Sequence, residues 1–216
     1  ILKHTRMKKK FLVIGNPIEH SLSPILHNHW IKKNNLSASY DKKLLEQDEI
    51  QKLILDLREE KIHGINVTVP FKKMVIPFKD TLSDEAKNSQ SVNTIYKNED
   101  KIIGDNTDIE GFKIGLETTN QIIKNKKAFI LGAGGVVPSI IIALKKMQIS
   151  KIHLSNKTLI RALEIKKLFP EIEIVGWGKT INFDIIINAT SLGLNKKDEI
   201  KLDYKNISQN KFFYDV

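Results

Sequence analysis

Lys72 stands directly after an apolar run that contains a proline, in the stretch NVTVPFK at residues 66–72. The run has the composition of a buried strand, and Pro70 ends it because proline lacks the N–H that a central strand needs. An amine presented at the end of a buried strand could move a proton to or from a bound molecule. The alternative is a solvated turn lysine, since most lysines are surface charges.

Other polar side chains of the first half also gather at the ends of apolar segments. Turn and cap chemistry accounts for several of them, because Ser, Asn and Asp suit these positions. Ser23 before Pro24 is typical of a helix N-cap, and Asp108 can cap a helix that begins near Ile109. The candidates for ligand contact are Ser21, Ser23, Asn66, Thr68, Asn93 and Asp108.

A glycine-rich turn separates an apolar strand from an apolar helix in ILGAGGVVPSIII, residues 130–142. Its first two glycines match the fingerprint G-x-G-x-x-G/A, whereas Val137 fills the third position. Backbone N–H groups of such a turn and the positive helix end can approach a pyrophosphate. We predict a dinucleotide site here, the alternative being a tight turn without a ligand. The predicted residues are Gly132, Ala133, Gly134, Gly135 and Val136.

The strand after this helix ends in SNKT, residues 155–158, without the carboxylate that binds the ribose 2′-hydroxyl of NAD. Asn156 can still reach the ribose, and Lys157 with Arg161, one helical turn later on the same side, supplies positive charge. The pattern therefore predicts NADP rather than NAD. The remaining predicted cofactor contacts are Thr158 in this loop and Thr190 and Ser191 after a later strand.

The elements that must position these residues alternate between strands and helices. Helices are predicted from Pro24 to about Lys33, over about 48–60 and over about 109–119. Strands are predicted at 10–15, 37–45, 64–70, 184–190 and 212–216, with a hairpin that turns at NED and a strand–helix–strand unit within 126–156. This alternation predicts an α/β fold with mainly parallel sheets.

Composition excludes several classes of protein. The chain has 216 residues, no cysteine, 41% hydrophobic residues and a net charge of +10, and no apolar run approaches a membrane span. Its lysines are interleaved with acids and form no aromatic–basic stripe, so we expect neither nucleic-acid nor membrane partners. We expect a cytoplasmic protein, in which residues 1–6 are an upstream extension. His27 and His29 lie two apart on a predicted helix and point in different directions, so no metal site is expected.

The ordered series GNPIEHSLSPILHN, GINVTVPFK, SVNT, GDNTD, LGAGG, SNKT and NATSLG resembles the shikimate dehydrogenase family over nearly the whole chain. The resemblance implies NADP-dependent interconversion of shikimate and 3-dehydroshikimate, in the biosynthesis of aromatic amino acids. It implies two domains with the active site in the cleft between them: a substrate domain at 7–108 and a Rossmann-like NADP-binding domain at 109–216. The implied partner is a small-molecule substrate, and the expected state is a monomer or a homodimer.

The resemblance also assigns roles to residues. It implies that Lys72 and Asp108 are the catalytic pair and that Ser21, Ser23, Asn66, Thr68 and Asn93 bind the substrate. Oxidation of an alcohol requires its hydroxyl proton to leave as hydride departs, and either member of the pair could accept that proton. Serine, threonine and asparagine supply the neutral donors and acceptors that a hydroxylated cyclohexene carboxylate needs.

Three departures from the family pattern leave alternatives open. Ile109 replaces a usual glycine, and NKT replaces NRT, which removes a bidentate contact to the 2′-phosphate. A tyrosine and a glutamine that complete the family's substrate site fall past Val216, so the C-terminal return segment is expected to be missing from this chain. The alternatives are a quinate or amino-shikimate dehydrogenase that uses NAD, and a dinucleotide-binding sensor without turnover.

Overall fold

The computed structural model describes residues 8–193, 198–203, 207 and 210–216. Residues 1–6, interpreted above as an extension, lie outside the described residues. The chain divides between Thr107 and Asp108 into two compact units. No helix of the described residues is long and apolar enough to cross a membrane.

The described residues of the first unit form six strands, three α-helices and two 3-10 helices. The 3-10 helices are Gln47–Glu49 and Ile76–Phe78. The strands are β1 (Lys9–Gly15), β2 (Ala38–Leu44), β3 (Gly64–Val67), β4 (Thr81–Leu82), β5 (Thr94–Asn98) and β6 (Lys101–Asp105). The α-helices are α1 (Ser23–Lys33), α2 (Ile50–Arg58) and α3 (Asp84–Ser89).

These strands form one sheet in the order β2-β1-β3-β5-β6-β4. The pairs β1/β2, β1/β3 and β4/β6 are parallel, whereas β3/β5 and the hairpin β5/β6 are antiparallel. The helix α2 covers the sheet because Ile50, Leu53, Ile54 and Leu57 fall on one face and are all buried. They pack with β-strand residues such as Ile14 in one apolar core.

The second unit contains the strands β7 (Lys127–Leu131), β8 (Lys151–Ser155), β9 (Glu173–Ile174), β10 (Ile185–Asn188) and β11 (Phe212–Asp215). Its helices are α4 (Asp108–Glu117), α5 (Val137–Lys146) and α6 (Leu159–Leu168). The strands form a fully parallel sheet in the order β11-β10-β7-β8-β9. Residues of α4, α5 and α6 share one apolar core with alternate residues of β7, β8 and β10.

Three local predictions are wrong. Strand β3 ends at Val67 instead of running to Pro70, because the chain turns at Thr68, whose carbonyl accepts from the Phe71 N–H. Ser23 is the first residue of α1 instead of its N-cap, which is Leu22. Lys157 lies before Thr158, the N-cap of α6, so Lys157 and Arg161 are not one turn apart on a helix.

Candidate active site and cofactor loop

The polar candidates of the first unit lie along one edge of its sheet. In the parallel pair β1/β3, Ile14 is opposite Val67, so the carboxyl ends of these strands coincide. Strand β5 runs the other way, and its first residue, Thr94, is opposite both Asn66 on β3 and Asp105 at the end of β6. The segments that follow β1, β3 and β6 and the one that precedes β5 therefore meet at this edge.

Gly15 makes room for Thr68 at this edge. A Cβ atom at Gly15 would lie 2.6 Å from Cγ2 of Thr68 and 2.9 Å from Cδ1 of Ile18, which is closer than real side chains approach. The Thr68 N–H donates to the Ile14 carbonyl at 2.9 Å, and the Asn16 N–H donates to the Val69 carbonyl at 3.0 Å. The end of β1 thus fixes where Thr68 lies.

Lys72 lies in the turn after Thr68 and is held through its main chain. Phe71 and Val75 on either side are 2% and 1% exposed and anchor the turn in the core. The Lys72 carbonyl accepts from the Val92 N–H at 2.8 Å, directly before Asn93. The side chain of Lys72 is half-buried. Packing and the hydrogen bond from Val92 therefore fix the main chain at Lys72 next to the segment that contains Asn93.

Asn66 and Asn93 are joined by hydrogen bonds through Thr94. The Asn66 Nδ2 donates to Thr94 Oγ1 at 3.1 Å, and that hydroxyl donates to Asn93 Oδ1 at 3.0 Å. The Thr107 N–H also donates to Asn93 Oδ1, at 2.9 Å, and Asn93 Nδ2 donates to Thr107 Oγ1 at 3.0 Å. Asn93 is 8% exposed, so this carboxamide is buried and its orientation is set by the protein.

Tyr40 on β2 extends this set of contacts. Its hydroxyl donates to Asn66 Oδ1 at 2.6 Å, and burial raises the pKa of Tyr40 to about 12. His27 stacks on the tyrosine ring at 4.1 Å between centroids, and burial lowers the pKa of His27. His27 is thus a packing partner of Tyr40. The described residues contain no group of three or more His, Cys, Asp or Glu side chains that could hold a metal ion.

Ser21 and Ser23 lie together at the start of α1. The Ser23 N–H points at Ser21 Oγ at 3.4 Å, and the Ser21 N–H donates to the Ile18 carbonyl at 3.1 Å. Both side chains are half-buried. Since Ile18 follows β1, the two hydroxyls belong to the segment that leaves the sheet at the edge described above.

Asp108 is the first residue of α4 and follows Thr107 by one peptide bond. The chain just before it is firmly held, because the buried Asn106 donates through Nδ2 to Ser89 Oγ at 3.1 Å and to the Ser91 carbonyl at 2.8 Å. A carboxylate in the first turn of a helix is stabilised by the positive helix end. Both that role and a catalytic one suit this position.

The glycine loop of the second unit fits a dinucleotide phosphate. Gly132 has φ +107°, and a Cβ there would lie 2.5 Å from the Ala189 carbonyl oxygen, so only glycine is accommodated. At Gly134 the nearest atom to an added Cβ is 4.0 Å away, which leaves open space beside the backbone. The first turn of α5 has no side-chain cap at Val136. The Val137 N–H donates to the Gly134 carbonyl at 3.1 Å, so it is the positive helix end and the open backbone at Gly134 that suit an anion.

The loop after β8 presents positive charge at a second helix start. Asn156 Nδ2 donates to the Thr158 carbonyl at 2.8 Å and so shapes the entry to α6. The first turn of α6 contains no acid, and Lys157 and Arg161 are exposed beside it. Neither cation forms an ion pair with the described part of the chain. Positive charge at a helix start suits a phosphate group.

Asn188 organises the loop that contains Thr190 and Ser191. Its Oδ1 accepts from the Thr190 N–H at 3.1 Å and from the Thr190 hydroxyl at 2.7 Å. Its Nδ2 donates to the Leu192 carbonyl at 3.0 Å and to Asp215 Oδ1 at 2.7 Å. Since Ala189 contacts the Gly132 position, this loop lies against the glycine turn. Thr190 is half-buried there, and Ser191 is exposed.

Sequence reasoning did not assign five residues of these clusters: Tyr40, Thr94, Thr107, Asn188 and Asp215. Three of them stand inside the motifs SVNT, GDNTD and NATSLG, and that position was an available signal. Tyr40 and Asp215 carried none, because their contacts depend on which strands are neighbours.

Known proteins resemble this chain throughout its length. Residues 13–95 match the family described as the shikimate dehydrogenase substrate binding domain. A curated shikimate dehydrogenase (NADP(+)) of Pelagibacter ubique strain HTCC1062 is 69% identical over 210 residues, covering 97% of this chain and 79% of that protein. The chain belongs to the shikimate dehydrogenase family. The predicted resemblance is thereby confirmed.

Solved shikimate dehydrogenases have the same fold. The crystal structure of the enzyme from Aquifex aeolicus superposes with a TM-score of 0.86 at 34% identity, over 96% of this chain and 78% of that one. The enzyme from Thermus thermophilus, in complex with NADP(H) and shikimate, gives a TM-score of 0.85 at 28% identity, over 96% and 78% of the two chains. The predicted α/β fold is therefore confirmed.

Proposed function

We propose that this chain is an NADP-dependent shikimate dehydrogenase, which interconverts shikimate and 3-dehydroshikimate. The observation that carries the proposal is the 69% identity to a relative named shikimate dehydrogenase (NADP(+)), which extends over both units. The glycine loop and the cations beside α6 support it, because they suit a pyrophosphate and a further phosphate. The NADP(+) in the names of the relatives also favours NADP over NAD.

Bound NADP⁺ would supply a hydride acceptor, so the protein has to orient the substrate and move one proton. In the proposal, Ser21, Ser23, Asn66, Thr68 and Asn93 bind the carboxylate and the hydroxyls. These residues all belong to the polar edge of one sheet, which suits a substrate with several neutral oxygen groups. A substrate hydroxyl that forms a hydrogen bond there disfavours analogues without that hydroxyl, because such analogues leave the partner side chain unpaired.

Lys72 and Asp108 exchange the proton of the reacting hydroxyl in this proposal. Contacts of the neighbouring chain segments support their pairing. The Lys72 carbonyl accepts from the Val92 N–H, the Asn93 side-chain oxygen accepts from the Thr107 N–H, and Asp108 follows Thr107. Either member could accept the proton, so the pair is assigned jointly.

The test is NADPH formation by the purified chain with shikimate and NADP⁺, compared with quinate and with NAD⁺. Lys72→Met and Asp108→Asn should each lower kcat by about 10²- to 10⁴-fold, the usual contribution of a general acid–base group. Lys73→Met and Glu110→Gln are matched controls, since both side chains are exposed and lie close to the pair in sequence. Turnover that persists in the double variant Lys72→Met/Asp108→Asn would refute the assignment, and wild-type activity only with quinate or NAD⁺ would refute the substrate and cofactor.

A further inference from the structure

A line of side-chain hydrogen bonds crosses the sheet of the first unit, from β2 to the end of β6. It runs from the Tyr40 hydroxyl to Asn66, then through Thr94 to Asn93, and ends at Thr107. The donor–acceptor distances of these four hydrogen bonds, in the same order, are 2.6, 3.1, 3.0 and 3.0 Å. Two of its members, Asn66 and Asn93, are proposed substrate contacts, whereas the other three have no assigned role.

The direction of donation along this line is fixed at both ends, by the Tyr40 hydroxyl at Asn66 and by the Thr107 N–H, which donates to Asn93 Oδ1 at 2.9 Å. The Tyr40 hydroxyl donates to Asn66 Oδ1, which turns the Nδ2 of Asn66 toward Thr94. Thr94 has a single hydroxyl proton, and because its oxygen accepts from Asn66, that proton goes to Asn93 Oδ1. Asn93 must then direct its Nδ2 toward Thr107. Successive bonds of this kind polarise one another.

Tyr40 is itself held rigidly. It is 3% exposed, and the Asn28 side chain forms two hydrogen bonds with its main chain. Asn28 Oδ1 accepts from the Tyr40 N–H at 3.0 Å, and Asn28 Nδ2 donates to the Tyr40 carbonyl at 2.6 Å. His27 stacks on the ring in nearly parallel fashion, at an interplanar angle of 5°. The raised pKa of the hydroxyl keeps it protonated, and therefore a donor, at any ordinary pH.

An asparagine carboxamide presents a donor on one side and an acceptor on the other, so a half-turn exchanges what a ligand meets. We propose that Tyr40, through Asn66, is a positioning residue for the substrate: its hydroxyl sets the orientation of the Asn66 carboxamide, and Thr94 matches that orientation to the one that the Thr107 N–H sets for Asn93. The proposal deepens the shikimate dehydrogenase function and rests on it for the identity of the ligand.

The hydrogen-bond line is tested first without substrate, by the side-chain amide signals of Asn66 and Asn93 in ¹H–¹⁵N spectra. Tyr40→Phe removes only one oxygen and should shift the Asn66 signal clearly and the Asn93 signal less, because the Thr107 N–H still holds Asn93 Oδ1. Tyr96→Phe is the matched control, because Tyr96 is an exposed tyrosine of β5 outside the line, and should shift neither. An Asn66 signal that does not move in Tyr40→Phe, or that moves as much in Tyr96→Phe, overturns the proposal.

Steady-state kinetics then test the positioning role. Tyr40→Phe should raise the KM for shikimate about five- to tenfold, the usual effect of one lost hydrogen bond, with the KM for NADP⁺ unchanged. Thr94→Val should raise the same KM at least as much, and Thr94→Ser, which restores the hydroxyl, should bring it back toward the wild-type value. Equal changes in both KM values, or the same result for valine and serine, overturn the proposal.

The two proposals fail in different ways. A wild-type chain that does not turn over shikimate refutes the proposed function, whereas the amide signals are measured in the protein alone and still decide whether Tyr40 orients Asn66. Thermal unfolding of each variant shows whether a kinetic change merely reflects lost folding, and a KM effect that tracks the fraction unfolded counts against the positioning role.

Discussion

Replacing Gly134 with alanine should separate cofactor binding from the stability of the glycine loop. The added Cβ would have the Ala189 carbonyl oxygen as its nearest neighbour, at 4.0 Å, and the φ angle of Gly134 lies outside the left-handed region. The loop can therefore take the methyl group without strain. The same methyl group would stand where the backbone approaches the pyrophosphate in the proposed complex.

The size of the effect follows from these contacts. We expect the free energy of unfolding to change by less than about 1 kcal/mol, as at other unstrained glycine-to-alanine sites. For NADP⁺ we expect the loss of about one charge-assisted hydrogen bond, roughly 1.5–3 kcal/mol, which corresponds to a Kd raised about ten- to a hundredfold.

Gly132→Ala is the contrasting variant. Its φ of +107° and the 2.5 Å approach to Ala189 should cost stability, with about 1–3 kcal/mol from the backbone alone. Urea unfolding and fluorescence titration with NADPH measure the two quantities for both variants. Unchanged NADPH affinity in a folded Gly134→Ala protein would refute the proposed place of the pyrophosphate, and full stability of Gly132→Ala would refute the steric argument.

Three further predictions concern charge, pH and helix propensity. Lys157→Ala and Arg161→Ala should each raise the Kd for NADP⁺ about tenfold, while the Kd for NAD⁺ changes less than twofold. If titrations show that the affinity for both cofactors falls equally, a 2′-phosphate site at these residues is refuted. Burial lowers the pKa of His153, so as the pH falls the unfolded chain takes up this proton before the folded chain does. The free energy of unfolding should therefore decrease as the pH drops below about 6.5, by at most about 1.4 kcal/mol per pH unit. Urea unfolding at about pH 7.5 and 5.5 should show a smaller difference for His153→Gln, and an equal difference would contradict this. Gly111→Ala, inside α4 with no atom within 4 Å of the new Cβ, should stabilise the chain by about 0.5–1 kcal/mol in the same assay, and a loss would contradict the helical argument.

The strands that sequence predicted best are those with long apolar runs. The runs at β1 and β7 are apolar on both faces, as expected of central parallel strands. Strand β1 begins one residue before its predicted start and ends as predicted, and β7 lies within the predicted strand–helix–strand unit. Between Lys73 and Ser91 the prediction contained no element, yet this segment forms a 3-10 helix, the two-residue β4 and the six-residue α3. Elements this short carry too few residues to display a period.

The candidate site also contains residues that can be recognised from the sequence and residues that cannot. Glycine at 132 is recognisable from sequence because the turn between strand and helix demands it, and the structure gives the reason in its positive φ. The bond from Tyr40 to Asn66 is not recognisable, since it joins residues 26 positions apart and depends on both β2 and β3 lying beside β1. Strand order, which no local pattern contains, decides such contacts.

The bond between Asn188 and Asp215 connects the proposed nucleotide site to β11. Asp215 belongs to β11, which is the last strand in the sheet order of the described residues, and Asn188 shapes the loop beside the glycine turn. If a nucleotide orders this loop and the bond passes that order to β11, the free energy that couples the two is the same in both directions. Occupancy of the proposed nucleotide site would then slow amide exchange along β11.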